Sequence, residues 1–398
     1  MGPHLTYLST GVLEAAFDSQ VYQLLLNLQP RIRMQHYCLE PTPAWKSEKR
    51  IEKINRIAHK IPITSIRMTP FVGRFTLRLD ARHLRRHLSG AAAENVSVIH
   101  ARGCVNSYRA LCALRRLRTR PRLITDFRGI GWDEIRRYGQ VSWRRWIEAH
   151  RSRELQKIEG IMARASDGIT CVSHAFAEYL AGEYDVPIEK ITVVPSVVNT
   201  SLFCFDRTRR EYLRERMRIG DRPVLVYSGS LAGWQQPEET VALFERIRAQ
   251  RQDALLLFLT RAEEEARALL RSRLPADSFK VLCADHDEVG EYLCSADIGL
   301  LLRDESPTNR VAAPIKFAEY LACGLPVIIT PGIGDTEKHL RDLGAGCVLS
   351  DMDAIPDDVD ALFLDDDERQ RLAVAASNIF GMVDNIEKLL RDVYLFEI

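Results

Sequence analysis

The stretch that decides the fold runs from Ala312 to Thr330 and reads AAPIKFAEYLACGLPVIIT. It is a buried helix that starts behind Pro314, with Gly324 at its C-terminus and Pro326 just past the end. A run of β-branched residues follows, as expected of a buried strand. Lys316 and Glu319 lie three residues apart, on one side of the helix. On a surface they would be an ordinary pair. At a helix start they stand beside amides that have no intrahelical partner.

Upstream, the strand DIGLLLR ends at Arg303, and a polar loop continues through Asn309. A proline at the front of a helix loses nothing by lacking an N–H. The free amides and the positive end of the helix dipole favour an anion. A diphosphate fits there, with Lys316 and Arg303 as neutralising cations. The Glu319 carboxylate does not suit phosphate, but it suits the vicinal diol of a ribose. These residue types in this order make a nucleoside-diphosphate site.

Working outward, short β-branched runs alternate with longer amphipathic segments. HLTYLST, IRMQHYCLE, SVIHARG, RLITDFRG, GITCVS and ITVVPS read as strands in the first half. PVLVYSGS, ALLLFLT, FKVLCA, DIGLLLR and the run ending at Thr330 read as strands in the second. This alternation predicts an α/β fold of two doubly wound parallel sheets, with a ligand cleft outside the strands' carboxyl ends. The pattern restarts between Val197 and Asp206. The expected division is 1–198, 199–380, and a C-terminal helix over 381–398 that packs back on the first domain.

Composition agrees with a globular protein. Of 398 residues, 46% are hydrophobic and 27% charged, and no apolar run approaches the roughly 20 residues that span a bilayer. MGPHLTYLST lacks the basic and apolar regions of a signal peptide, and nine scattered cysteines point to buried, reduced thiols; both favour a cytoplasmic location. The net charge of +1 conceals an asymmetry. Residues 1–200 hold 31 Lys and Arg against 18 Asp and Glu, and the remainder holds 24 against 36. The basic half, including WRRWIEAHRSRELQK, suits an anionic membrane surface, with a solvated helix as the plainer reading. No nucleic-acid module is present.

The run PIKFAEYLACGLPV resembles the donor-site helix of retaining, family-four glycosyltransferases of the GT-B fold. VPSVVNTSLF, VLVYSGSLAGW and EYLCSADIGLLL follow that family's order. The resemblance implies two Rossmann-like domains, a nucleotide-sugar donor held by the second and an acceptor by the first. It also implies transfer with retention and no bound metal or other cofactor. Donor contacts are then expected from Ser228, Gly229, Ser230, Arg261, Cys283, Arg303, Asn309 and the helix start Ala313, Pro314, Ile315, Lys316, Phe317 and Glu319. Cys283 belongs to the stretch VLCADH, where the base would meet backbone.

Three departures from that family stand out. Val311 occupies the position of the first of its two glutamates, so the load shifts to Lys316 and Arg303. Ser230 and the Gln235–Gln236 pair replace its diphosphate-gripping cations, leaving Arg261 as a weaker substitute. LITDFRGIGWDE carries Asp126 and Arg128 where a histidine is common. Asp126 would orient an acceptor hydroxyl and Arg128 a phosphate or anionic acceptor, unless the pair only fixes its loop. His100 reads as a structural histidine and Ser173 as a helix cap. Gly11, in STGVLEAAFDSQ, permits backbone approach to a ligand or makes a plain turn.

The function expected is transfer of a hexose from a UDP- or GDP-sugar to a glycan or polyprenyl-diphosphate-linked acceptor. The setting expected is surface-polysaccharide biosynthesis, on or near the inner membrane face. Lys316, Glu319, Asp126 and Arg128 would carry the chemistry. A nucleotide-sugar epimerase or hydrolase on the same fold, and a non-catalytic nucleotide-sugar-binding protein, are the alternatives.

Overall fold

The computed structural model describes residues 4–13, 17–41, 46–71, 73–89, 96–115, 117, 120–138, 145–351, 353–356 and 358–395. Parts of the Gly11 loop, the start of the basic segment at Trp143 and the last three residues of the expected C-terminal helix lie outside these. The chain forms two compact units, residues 1–195 with 383–398, and residues 196–382.

The first unit holds a seven-stranded parallel sheet. Its strands are β1 His4–Thr10, β2 Arg33–Pro41, β3 Ile63–Met68, β4 Val98–Arg102, β5 Arg122–Phe127, β6 Gly168–Cys171 and β7 Ile191–Val193. Their order is β3-β2-β1-β4-β5-β6-β7. The sheet therefore winds outward from β1 in both directions. Neighbouring β1 and β4 diverge at a topological switch point, where open α/β sheets bind ligands. β3 and the helices Glu48–Ala58 and Arg74–Leu88 carry no clear apolar run, and sequence reading passed over them. β3 is an edge strand with mostly half-buried positions, so its pattern is weak.

The second unit holds a six-stranded parallel sheet. Its strands are β8 Val224–Ser228, β9 Leu255–Leu259, β10 Phe279–Leu282, β11 Ile298–Leu301, β12 Val327–Ile329 and β13 Gly346–Val348, in the order β10-β9-β8-β11-β12-β13. This is the Rossmann winding, 3-2-1-4-5-6. Both faces are covered. Val224, Val226, Leu255 and Leu257 enter one core, while Leu225, Tyr227, Leu256 and Phe258 enter the other. That explains the continuous apolar runs: alternate residues point to opposite faces, and each face has its own helices to meet. The segments entering and leaving this unit pair with each other, Val198 N–H donating to Phe380 O at 2.8 Å.

Candidate functional site

The carboxyl ends of β8, β9, β10 and β11 bring Ser228, Arg261, Cys283 and Arg303 to one rim of the second sheet. Helix Ile315–Ala322 begins behind Pro314, as expected from the sequence, with Pro314 as its extended cap (φ −62°, ψ 121°). Phe317 N–H donates to Pro314 O at 3.0 Å. The amides of Ile315 and Lys316 have no acceptor among the described residues. The helix ends in a Schellman turn: Leu325 N–H donates to Tyr320 O and Gly324 N–H to Leu321 O, both at 3.0 Å, with Gly324 at φ +72°.

Glu319, only 5% exposed, and the half-buried Lys316 lie one turn apart on this helix. Neither side chain makes a hydrogen bond or an ion pair within 4 Å to another described residue. Burial pushes the Glu319 carboxyl up to about 7, against the pull of Lys316. Burial also lowers Lys316, with Arg303 adding to the effect and Glu319 opposing it. A buried carboxylate and a desolvated ammonium, neither side chain partnered among the described residues, thus stand beside two open amides.

Arg303 is held on the same rim. Its Nη1 donates to Trp234 O at 3.1 Å, its N–H donates to Thr330 Oγ1 at 2.9 Å, and that hydroxyl donates back to Arg303 O at 2.8 Å. Ser228 N–H donates to the Tyr320 hydroxyl at 2.8 Å, tying β8 to the Lys316 helix, a link the sequence did not signal. A Cβ on Gly229 would stand 2.3 Å from Gln235 Oε1 and would displace that side chain. Ser230 Oγ accepts from Gln235 Nε2 at 2.8 Å, which commits Gln235 to folding the loop.

Other expected contacts fall differently. The Phe317 ring packs against Phe380 at 6.1 Å in the core, and its amide is taken, so neither faces a ligand. The Asn309 side chain donates to Asp304 O at 2.9 Å and to Asp304 Oδ1 at 2.6 Å inside its own loop, whose residues Pro307–Arg310 form a short helix. Ala313 O accepts from Ser196 Oγ at 2.7 Å. Arg261 is exposed and has no partner among the described residues. Val311 is buried. None of the nine cysteines is in a disulfide; Cys283 is exposed, unlike the buried thiols expected.

In the first unit, Asp126, next to last in β5, lies among basic side chains. Its carboxylate lies 3.6 Å from Arg102 Nη1, 3.7 Å from Arg128 Nη1 and 3.8 Å from His100 Nε2, and it accepts from Thr170 Oγ1 at 3.1 Å. Burial alone would raise its pKa, but Arg128, His100 and Arg102 together hold it well below the usual carboxylate range. Gln20 Oε1 accepts from both Arg102 and Arg128. His100 is buried, stacked on Tyr7 at 4.9 Å, and its Nδ1 pairs with the Tyr394 hydroxyl at 2.8 Å, which fits the structural histidine expected. Tyr394 and Gln20 are distant in sequence and carry no local motif. Gly11 packs so closely that a Cβ would sit 2.7 Å from Glu40 Oε2, while Glu40 Oε1 accepts from Val12 N–H at 3.2 Å. Ser173 caps its helix by accepting from Phe176 N–H at 3.0 Å. No helix of the described residues is long and apolar enough to cross a membrane.

Comparison with known proteins adds the family. Residues 19–202 match the model of Glycosyltransferase Family 4, and residues 209–378 match Glycosyl transferases group 1. A Bacillus subtilis (strain 168) protein, TuaH, assigned by name to teichuronic acid biosynthesis as a glycosyltransferase, is 28% identical over 194 residues. That match covers 46% of this chain and only 45% of the relative. Three solved structures superpose over nearly the whole chain. A glycosyltransferase from Rickettsia africae has a TM-score of 0.70 at 15% identity, covering 99% of this chain and 98% of that one. Sucrose-phosphate synthase from Thermosynechococcus elongatus scores 0.71 at 14% identity, covering 97% of each. HepE from Anabaena, in complex with UDP, scores 0.67 at 12% identity, covering 97% and 98%. With its two parallel sheets, the chain has the GT-B fold, and each of its halves matches a glycosyltransferase family model.

Proposed function

We propose that the chain is a retaining hexosyltransferase that takes its sugar from a nucleoside diphosphate, UDP first and GDP second. The observation that carries this is the unpartnered pair Lys316 and Glu319 behind the open amides of Ile315 and Lys316. The amides, Lys316 and Arg303 stabilise the departing diphosphate, where negative charge develops, and Glu319 accepts from the ribose hydroxyls. These cations take the neutralising role without a metal ion. The leaving phosphate itself takes the acceptor proton in a front-face transfer. Asp126 orients the acceptor hydroxyl and Arg128 an anionic group beside it. HepE has been solved with UDP and with UDP-glucose, which supports a UDP-sugar donor. The match to TuaH, named for teichuronic acid biosynthesis, supports a setting in surface-polysaccharide biosynthesis. Trp146, 71% exposed on the basic helix Arg145–Ala165, supports contact with the inner membrane face.

The test is a thermal-shift panel of nucleoside diphosphates, followed by turnover of the matching sugar donor. A ligand at about 100 times its Kd stabilises by about 2.7 kcal/mol. Normal turnover by both Lys316→Ala and Glu319→Ala would remove the basis of this reading. Isomerised donor in the absence of acceptor would make the protein an epimerase.

A further inference from the structure

The helix Arg145–Ala165 in the first unit has two adjoining cavities that share Arg153 and Gln156. The first, 370 Å³, lies between this helix and helix Gly131–Tyr138, where Trp132 and Ile135 meet Glu148, Ser152 and Gln156. Trp132 is fixed in place. Its indole Nε1 donates to Glu159 Oε1 at 3.3 Å, and its carbonyl accepts from Ser152 Oγ at 2.8 Å. Glu159, fully buried, also accepts from the Tyr184 hydroxyl at 2.7 Å and the Tyr179 hydroxyl at 3.0 Å. The ring is therefore a rigid, half-exposed platform.

The second cavity, 510 Å³, is lined by Arg74, Arg153, Lys157 and Arg164 with Tyr184. One carboxylate, Glu154, accepts from both Arg74 (2.9 Å) and Lys157 (3.2 Å). Arg153 and Arg164 are exposed and make no ion pair or side-chain hydrogen bond among the described residues. The cavity therefore holds an excess of positive charge beside an aromatic wall.

We propose that the two cavities form one binding site for a phosphate-bearing saccharide. The pyranose lies against Trp132, with its hydroxyls on Ser152, Gln156 and Glu148. The phosphate sits among Arg153, Lys157 and Arg164. An indole face takes the apolar C–H face of a sugar, and guanidinium forks match phosphate oxygens. This goes beyond the donor site, which lies wholly in the second unit. Only the ligand's role as acceptor rests on the proposed transferase activity; its binding does not.

The experiment is isothermal titration of the full chain with glucose 1-phosphate, with UDP saturating the donor site. Glucose and inorganic phosphate serve as comparison ligands. Arg153→Ala/Arg164→Ala and Trp132→Phe are the variants, and UDP affinity checks the fold of each. The expected result is tighter binding of the sugar phosphate than of either comparison ligand. The expected loss is about tenfold or more in the double variant, the size of one charge-assisted contact, with UDP affinity unchanged. Unaltered glucose 1-phosphate binding in both variants overturns the proposal, as does equal binding of inorganic phosphate. Loss of binding to phosphatidylglycerol vesicles in the double variant, with sugar phosphate unaffected, would make the groove a lipid-headgroup surface instead. Failure of UDP to bind wild type would count against the donor reading alone.

Discussion

Glu319 lies one helical turn beyond Lys316, yet the two form no ion pair, and neither side chain has another partner among the described residues. Two groups of opposite sign that do not neutralise each other in a buried place are poised for a third. On the proposed reading the cationic one takes a diphosphate and the anionic one a diol.

The first prediction concerns pH. The Glu319 carboxyl, raised to about 7 in the folded protein from 4.5, is neutral there over a range in which the unfolded chain is ionised. Its contribution is therefore fully present below about 4.5 and is lost as pH rises through about 7. The loss by pH 8 is on the order of 3 kcal/mol. Glu319→Gln should unfold close to wild type at pH 5 and several degrees higher at pH 8, while losing nucleotide binding. Thermal denaturation at the two pH values, with and without UDP, reads both effects. A variant–wild type difference that does not change with pH would show that the carboxyl is ionised throughout.

The second separates the phosphate from the base. Lys316→Met and Arg303→Met should each weaken UDP binding by about 10- to 100-fold, the range for a hydrogen bond to a charged group. Uridine, which has no phosphate, should bind both variants as it binds wild type. Titration with the two ligands decides the matter; equal losses for both would place the cations elsewhere.

How much of this was legible follows from the kind of signal each residue carries. The second sheet was read from its runs because both faces are buried, and a strand covered on both sides is apolar at every position, as in Leu255–Leu259. The Lys316 helix was read from its punctuation, Pro314 before and Gly324 after. β3 and β13 escaped, since an edge strand or a three-residue strand holds too few buried positions to make a pattern. The partners were not legible at all. Nothing local marks Tyr320 as the acceptor for Ser228 N–H, or Tyr394 as the partner of His100. Phe317 follows Lys316 in sequence yet turns into the core, because on a helix only some residues of a turn share a face.

The third prediction is structural. Asp297, 5% exposed, accepts from Arg210 Nη2 at 2.6 Å, Arg214 Nη1 at 3.3 Å, Arg369 Nη2 at 2.7 Å and Val224 N–H at 2.7 Å. It anchors the amino end of β11 to the helices Arg207–Arg216 and Asp366–Phe380. Asp297→Ala strands buried guanidinium charge and should destabilise the protein by about 3–5 kcal/mol. Urea unfolding would show it as a fall in midpoint. A change below 1 kcal/mol would mean that backbone carbonyls, such as Ala296 O beside Arg369, suffice for these arginines.

The fourth turns on Asp126, where the sign is opposite to that of Glu319. Arg128, His100 and Arg102 outweigh burial and depress its pKa below the ordinary 3.8. Its stabilising contribution is thus present above about 3.8 and is lost as pH falls through the folded value. Asp126→Asn keeps the shape and the Thr170 contact but takes away the carboxylate charge that Arg102 and Arg128 share. At pH 7 the variant should be less stable than wild type by about 3 kcal/mol, and the gap should narrow below pH 4. Tyr394→Phe tests the other side of the cluster. It leaves His100 Nδ1 buried without its hydroxyl, a loss of about 1–2 kcal/mol. If the two variants instead gave parallel pH profiles, Asp126 would not be the ionised centre of this cluster, and its proposed part in orienting an acceptor hydroxyl would go with it.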